Sequence, residues 1–188
     1  MTNNNNILNY KDITHKLLNN KIKNDNKIII AKKYKDFNGV IHPIKGNEKF
    51  IYNPSVAEIN TAIFLKENLG GKLIMIPRIG AIKGNKEKIS INTPDYIFRN
   101  ERWDLKNVKG TGKWCIDGSI SNCKYQSRNF IIDISNSELS YKVADEQINN
   151  IYLSKHRLWL NKIILIKNSN ILKIYQRKNE EFAEPKGS

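Results

Sequence analysis

Hydrophobic residues along this chain come mostly in short bursts, KIIIA, KLIMIP, NFIIDI and KIILIK, each of strand length and each broken off by charged, polar or turn-forming residues. Two longer stretches space their apolar residues helically instead. Ser55 is placed as an N-cap with Pro54 beside it, and Gly70 follows the last apolar residue, Leu69, which predicts a helix over residues 56–69. A second helix is predicted over about residues 140–155, with Val143, Ala144, Ile148, Ile151 and Tyr152 on one face. Elsewhere the pattern predicts a short amphipathic helix at residues 9–20 and strands at 27–31, 49–52, 72–77, 96–99, 102–108 and 129–134. It also predicts a helix carrying Ile116, Ile120 and Cys123, and a hairpin of KIILIK and ILKIYQ turned by Asn168, Ser169 and Asn170. Gly39, Pro43 and Gly46 mark turns in a mixed stretch, and residues 80–88 read as a Gly/Lys-rich loop.

This order predicts an α/β (α+β) fold, a central mixed β-sheet flanked by helices. Residues 55–176 form the predicted core. Residues 1–54 are an N-terminal appendage of a helix plus strands, or part of the same domain, and residues 177–188 are a flexible tail. No apolar run has the length of a membrane span.

The stretch TPDYIFRNERWDLKNV places chemistry on this frame. In a strand Asp104 and Lys106 share one face and Trp103 and Leu105 the other, so the apolar pair is core and the charged pair points away from it together. With Asn100 and Glu101 as a two-residue turn, Arg99 faces Arg102, Ile97 faces Asp104 and Asp95 faces Lys106, which gathers Asp95, Asp104 and Lys106 on one face. Neighbouring carboxylates repel unless a cation lies between them, and a hard divalent ion is the usual occupant. That arrangement suits phosphodiester hydrolysis, with the Lys orienting water or stabilising the pentavalent state. The competing reading is an exposed hairpin with one Asp–Lys cross-strand pair.

Glu58 falls on the apolar stripe of the 56–69 helix with Ala62, Leu65 and Leu69. It is either a third ligand or the distal member of a capping box with Ser55. The loop Lys109-Gly110-Thr111-Gly112-Lys113 follows the Asp/Lys strand and precedes a helix, so Lys109, Thr111 and Lys113 are candidate phosphate contacts, although the full P-loop pattern is absent and a solvated turn reads equally well. Gln126 and Arg128 end the next helix and are placed on the same groove. His15, His42 and His156 show no pairing; a metal-free RNase with His156 or His42 as general base is the alternative.

Composition widens the picture. The chain carries 32 Lys+Arg against 18 Asp+Glu, a formal net charge of +14, and its mean hydropathy is -0.56. Such a surface attracts polyanions, nucleic acid first. Charge alone does not separate an enzyme from a non-catalytic nucleic-acid-binding module. Cys115 and Cys123 are the only cysteines and lack zinc-site spacing; on one helix they would stand about 12 Å apart, too far for a disulfide. The N-terminus lacks a classical signal peptide, so a cytoplasmic site of action is expected, with delivery to other cells by another route.

Glu58, Pro94-Asp95 and Asp104-Leu105-Lys106 together resemble the PD-(D/E)XK nuclease signature, and the element order over residues 55–134 resembles that fold's core. More narrowly, the run from TPDYIFRNERWDLKNVKGTGK through YQSRNFIIDIS to KIILIKNSNILKIYQRK is similar to C-terminal toxin domains of contact-dependent growth inhibition and related polymorphic toxins. The resemblance implies a nuclease with Glu58, Asp95 and Asp104 on Mg²⁺, or on another divalent ion such as Mn²⁺ or Zn²⁺, and with Lys106 in catalysis. It implies tRNA as substrate, with DNA as the alternative, and an acidic immunity protein as partner. Some related families lack the Lys after the second Asp and look like metal-independent barnase/EndoU/colicin/RelE-like RNases; Lys106 favours the metal-dependent branch.

Overall fold

The computed structural model describes residues 9–22, 28–36, 40–43, 49–52, 54–83 and 87–178. In chain order these form Tyr10–Asp12 (β1), Thr14–Asn19 (α1), Ile28–Ile30 (β2), Lys33–Lys35 (β3), Ile41–Pro43 (β4), Lys49–Tyr52 (β5), Val56–Asn68 (α2), Leu73–Met75 (β6), Arg78–Lys83 (β7), Glu87–Ile91 (β8), Tyr96–Phe98 (β9), Glu101–Asn107 (β10), Cys115–Ile120 (α3), Asn129–Asp133 (β11), Tyr141–Leu153 (α4), Lys162–Lys167 (β12) and Asn170–Arg177 (β13). A 3-10 turn at Lys155–Arg157 follows α4.

Eight of the strands make one sheet in the order β1-β13-β12-β11-β10-β9-β6-β2. It is mixed: β10, β11 and β12 run parallel, as do β2 and β6, while the remaining pairs are antiparallel. The parallel strands are covered on both faces, which is why NFIID and KIILIK are almost unbroken apolar runs. Phe130, Ile132, Ile163 and Leu165 face α3 and α4, packing with Ile116, Ile120, Ala144, Ile148 and Tyr152. Their neighbours Ile131, Ile164 and Ile166 face the opposite way, with Ala62, Leu65 and Leu69 of α2 and with Leu17 of α1 against that side.

Several sequence expectations change here. Residues 9–20 are a strand followed by a helix: β1 forms the sheet edge on β13, and Asp12 Oδ1 accepts hydrogen bonds from the Thr14 backbone N–H and hydroxyl to turn the chain into α1. Both β1 and β2 are hydrogen-bonded into the large sheet, so the segment before residue 54 contributes to it directly. Residues 80–88 are not a loop throughout; β7 pairs with β5 and with β8 in a separate three-stranded sheet, and β3 pairs with β4. On α4, Val143 is exposed and Gln147 takes its place on the buried face. Cys123 lies beyond the end of α3, and both cysteines are free and half-buried. The expected frayed ends at residues 1–8 and 179–188, the turn glycines Gly39 and Gly46 and residues 84–86 of the Gly/Lys-rich stretch lie outside the described residues.

The β9–β10 hairpin turns on Arg99 and Asn100, with φ of 52° and 64°, rather than on Asn100 and Glu101. Two successive left-handed residues make the tight turn whose twist suits a hairpin. Arg99 is held in that conformation by its guanidinium, which donates to the carbonyls of Gly70 and Leu69. The pairs are therefore Phe98 with Glu101, Ile97 with Arg102 and Tyr96 with Trp103. The register differs from the expected one by two residues, so every side chain keeps its face.

Candidate active site

Beyond the Tyr96–Trp103 pair the next residues along the two arms of the hairpin are Asp95 and Asp104, so this register does not set Asp95 against Lys106 as the sequence predicts. Trp103 and Leu105 are buried against α2 with Tyr96 and Phe98. Asp104 and Lys106 are level with Phe130 and Ile132 of parallel β11, which puts them on the α3/α4 face. Asp104 is only 1% exposed and Asp95 only 9%.

The backbone fixes this pair tightly. The Asp95 carbonyl accepts from the Ile76 N–H at 2.9 Å, tying it to the end of β6, and Asp95 Oδ2 accepts from the Leu105 N–H at 2.7 Å. Lys106 Nζ sits 2.5 Å from Asp104 Oδ2. Burial, then the Asp104 carboxylate, then Glu58 push the Asp95 carboxyl up to about 8, against the smaller opposing pull of the Leu105 N–H and Lys106. Burial works against the charged form of Lys106, yet the Asp104 carboxylate and the Cys123 thiol outweigh it and hold the ammonium above its usual range.

Glu58 is 7% exposed and closes a capping box: its Oε2 accepts from the Ser55 N–H at 2.7 Å while Ser55 Oγ accepts from the Glu58 N–H at 3.2 Å. Its backbone carbonyl accepts from the Tyr96 hydroxyl at 2.8 Å, which anchors the start of α2 next to Asp95. Of the two readings of Glu58 the structure contains the capping box, and the same carboxylate also acts electrostatically on Asp95.

Among the described residues, no group of three or more His, Cys, Asp or Glu side chains is arranged to hold a metal ion. Asp95 and Asp104 form a pair rather than a triad. Two carboxylates still fit a hard cation such as Mg²⁺, which commonly takes one or two protein carboxylates and completes its shell with water and substrate phosphate. The chemistry of the donor set agrees: paired, buried oxygen ligands carry a repulsion that a divalent ion relieves.

The expected phosphate contacts separate. Lys109, Thr111 and Lys113 are exposed on the loop beyond the C-terminal end of β10. That loop is braced from beneath: Ser137 Oγ donates to the Gly110 carbonyl at 2.8 Å, and the buried Gln147 donates to the Gly112 carbonyl at 3.1 Å while accepting from the Ile116 N–H at 3.2 Å. Gln126 lies nearer the carboxylates, with Nε2 donating to the Thr93 carbonyl at 2.7 Å. Arg128 instead precedes β11 at the other end of β10, where Asn129 pairs with Trp103 and the Arg128 carbonyl accepts from the Asn161 N–H at 2.8 Å. Arg128 and the Lys109–Lys113 loop therefore start from opposite ends of the strand.

Sequence reasoning missed two contributors, Cys123 beside Lys106 and Gln147 beneath the loop. Gln147 left a signal, a polar residue one turn from Ala144 and Ile151 on an apolar stripe. Cys123 left none, because the irregular segment after α3 carries it to Lys106.

The comparisons with known proteins bear on this region. Residues 92–172 match the family described as the contact-dependent growth inhibition CdiA C-terminal domain. The matched stretch contains Asp95, Asp104, Lys106 and the braced loop, and leaves Glu58 outside. Among solved structures, the chain is similar to the CdiA-CT/CdiI toxin and immunity complex from Burkholderia pseudomallei, at 24% identity and a TM-score of 0.47, covering 64% of this chain and 83% of that one. No curated protein matches.

Proposed function

We propose that this chain is a metal-dependent nuclease, a toxin-like RNase that hydrolyses phosphodiester bonds in tRNA and is neutralised by an acidic immunity protein. The observation that carries the reading is the buried Asp95–Asp104 pair with Lys106 held on Asp104 at 2.5 Å. The match of residues 92–172 to a toxin domain supports it. Asp95 and Asp104 are the residues that would hold a divalent cation, Mg²⁺ or an ion such as Mn²⁺ or Zn²⁺, with Glu58 at the edge. When bound, such an ion supplies Lewis-acid neutralisation of the charge on the phosphate.

The chain's own groups do the rest. Leu105 N–H fixes one Asp95 oxygen, so the carboxylate cannot rotate away. Asp104 fixes the Lys106 ammonium, which has further N–H donors for the attacking water or a phosphate oxygen. Lys109, Thr111 and Lys113 bind the flanking backbone as a cationic rim. The net charge of +14 favours fast, salt-sensitive capture both of nucleic acid and of an acidic inhibitor laid over the site.

The test is incubation of the purified chain with bulk tRNA and with plasmid, each with Mg²⁺ and with EDTA. Cleavage of tRNA that needs the cation is the expected result. Cleavage by Asp104→Asn at the wild-type rate in EDTA overturns the reading, and cleavage of plasmid alone moves the substrate to DNA.

A further inference from the structure

Two aromatic rings on the segments after β10 and after α3 face solvent, and each carries a lysine on its face. Trp114 is 59% exposed with Lys113 Nζ 5.1 Å from its ring centroid; Tyr125 is 43% exposed with Lys124 Nζ 4.6 Å from its own. Neither ring sits on a loose segment. Trp114 closes the loop after β10, whose Gly110 and Gly112 carbonyls are held by Ser137 and Gln147, and the Cys115 N–H also donates to the Gly112 carbonyl at 3.1 Å. Tyr125 stands between Cys123, which touches Lys106, and Gln126, which is fixed to the Thr93 carbonyl two residues before Asp95. The two rings thus rise from separate braced segments, one following β10, the strand of Asp104 and Lys106, and the other following α3, where Cys123 meets Lys106.

Leaving a large aromatic in water beside a cation gains little for folding. A flat face next to a phosphate-seeking ammonium is the complement of an unpaired nucleotide, whose base stacks while its phosphate meets the charge. Bases inside a duplex are stacked on one another and have no free face to offer. We propose that Trp114 and Tyr125 are stacking platforms for unpaired nucleobases on either side of the phosphate that Lys106 addresses, so that the chain takes single-stranded or looped nucleic acid in preference to duplex. This rests on the nuclease reading above, and it specifies the substrate's form.

The experiment measures binding apart from cleavage. In the full chain carrying Asp104→Asn, with EDTA present, fluorescence anisotropy follows a labelled unpaired RNA oligonucleotide and a duplex of the same length across a salt series. Unpaired RNA binds more tightly than duplex; Trp114→Ala weakens its binding about tenfold or more, while Trp114→Phe retains most of it. Tyr125→Ala acts in the same direction. The salt slope stays unchanged in both alanine variants, because a ring releases no counterions. Equal or tighter binding of duplex, or unchanged affinity in Trp114→Ala, overturns the proposal. If the wild-type chain cleaves neither RNA nor DNA but Trp114→Ala still loses affinity for unpaired RNA, the stacking platforms stand and the nuclease reading falls.

Discussion

The protein contains two aspartate–lysine constellations that look alike in a list of contacts and differ in how many carboxyl groups they gather. Lys173 Nζ lies 2.8 Å from Asp145 Oδ1, which also accepts from the Tyr175 hydroxyl at 2.6 Å, and the same ammonium sits over the Tyr10 and Tyr175 rings. One negative charge meets one positive charge, and burial followed by Asp145 keeps Tyr175 well above its usual range, as a neutral donor. At Asp104 the lysine is likewise close, but a second buried carboxylate, Asp95, faces it and Glu58 adds further negative potential. The first cluster is complete in itself and joins β13 to α4 and β1. The second sets two buried carboxyl groups side by side, and Asp95 keeps its proton far above the usual carboxylate range, the kind of perturbed group that clusters at functional sites.

Substitution separates the two most sharply in catalysis. Asp104→Asn and Lys106→Ala lower the tRNA cleavage rate by orders of magnitude, whereas Asp145→Ala leaves cleavage near wild type and instead costs about 1–3 kcal/mol in urea unfolding by stranding the buried Tyr175 hydroxyl. Comparable loss of cleavage in Asp145→Ala, at temperatures where it remains folded, would erase the distinction.

Stability against pH gives the next largest contrast. The Asp95 carboxyl titrates at about 8 in the folded chain, far above its ordinary value of about 3.9 in an unfolded one. Between these values the folded chain holds a proton that the unfolded chain has released, so the metal-free protein loses stability as pH rises through that window, by at most about 1.4 kcal/mol per pH unit. The contribution is fully present below about pH 4. Asp95→Asn flattens the slope, measured as urea midpoint from pH 4 to 8 in EDTA. A slope unchanged by that substitution assigns the pH dependence elsewhere.

The contrast between the clusters was only partly legible in the sequence. Alternation along Trp103–Lys106 exposed which side chains share a face, because strand parity is a local property. The register of the hairpin was not local: Arg99 adopts a left-handed conformation because Leu69 and Gly70 offer carbonyls to its guanidinium, and those lie 30 and 29 residues away. The same reason hid β1, whose partner β13 is at the far end of the chain. The capping role of Glu58 was visible, since a capping box is a short-range pattern. The lysine loop was visible as a loop, but its bracing by Gln147 and Ser137 required α4 and the turn before it to pack against that loop and α3. The Asp145–Lys173 cluster gave no sign, as its members lie on separate elements.

Cation binding extends the comparison. Because an ion held only by the folded state stabilises it by mass action, Mg²⁺ at about a hundredfold over its Kd adds about 2.7 kcal/mol to wild type. Asp104→Asn removes most of that gain and Asp145→Ala none of it, read as the shift in thermal midpoint on adding Mg²⁺ at pH 8. An equal shift in Asp104→Asn would place the ion somewhere other than the Asp95–Asp104 pair.

The smallest effect concerns the rim of the site. Lys113 is exposed on the braced loop and lies over Trp114 rather than against a carboxylate. Under the proposed function its charge serves the substrate and not the fold, unlike that of Lys173. Lys113→Ala therefore leaves the thermal midpoint unchanged, weakens nucleic-acid binding modestly, and lowers the slope of log affinity against log salt by about one, the value for one lost phosphate contact. Lys173→Ala does the reverse, lowering the midpoint while leaving the salt slope intact. If Lys113→Ala leaves the salt slope at its wild-type value, the loop after β10 does not touch phosphate, and the cationic rim must be sought on the Cys123–Arg128 side of the site.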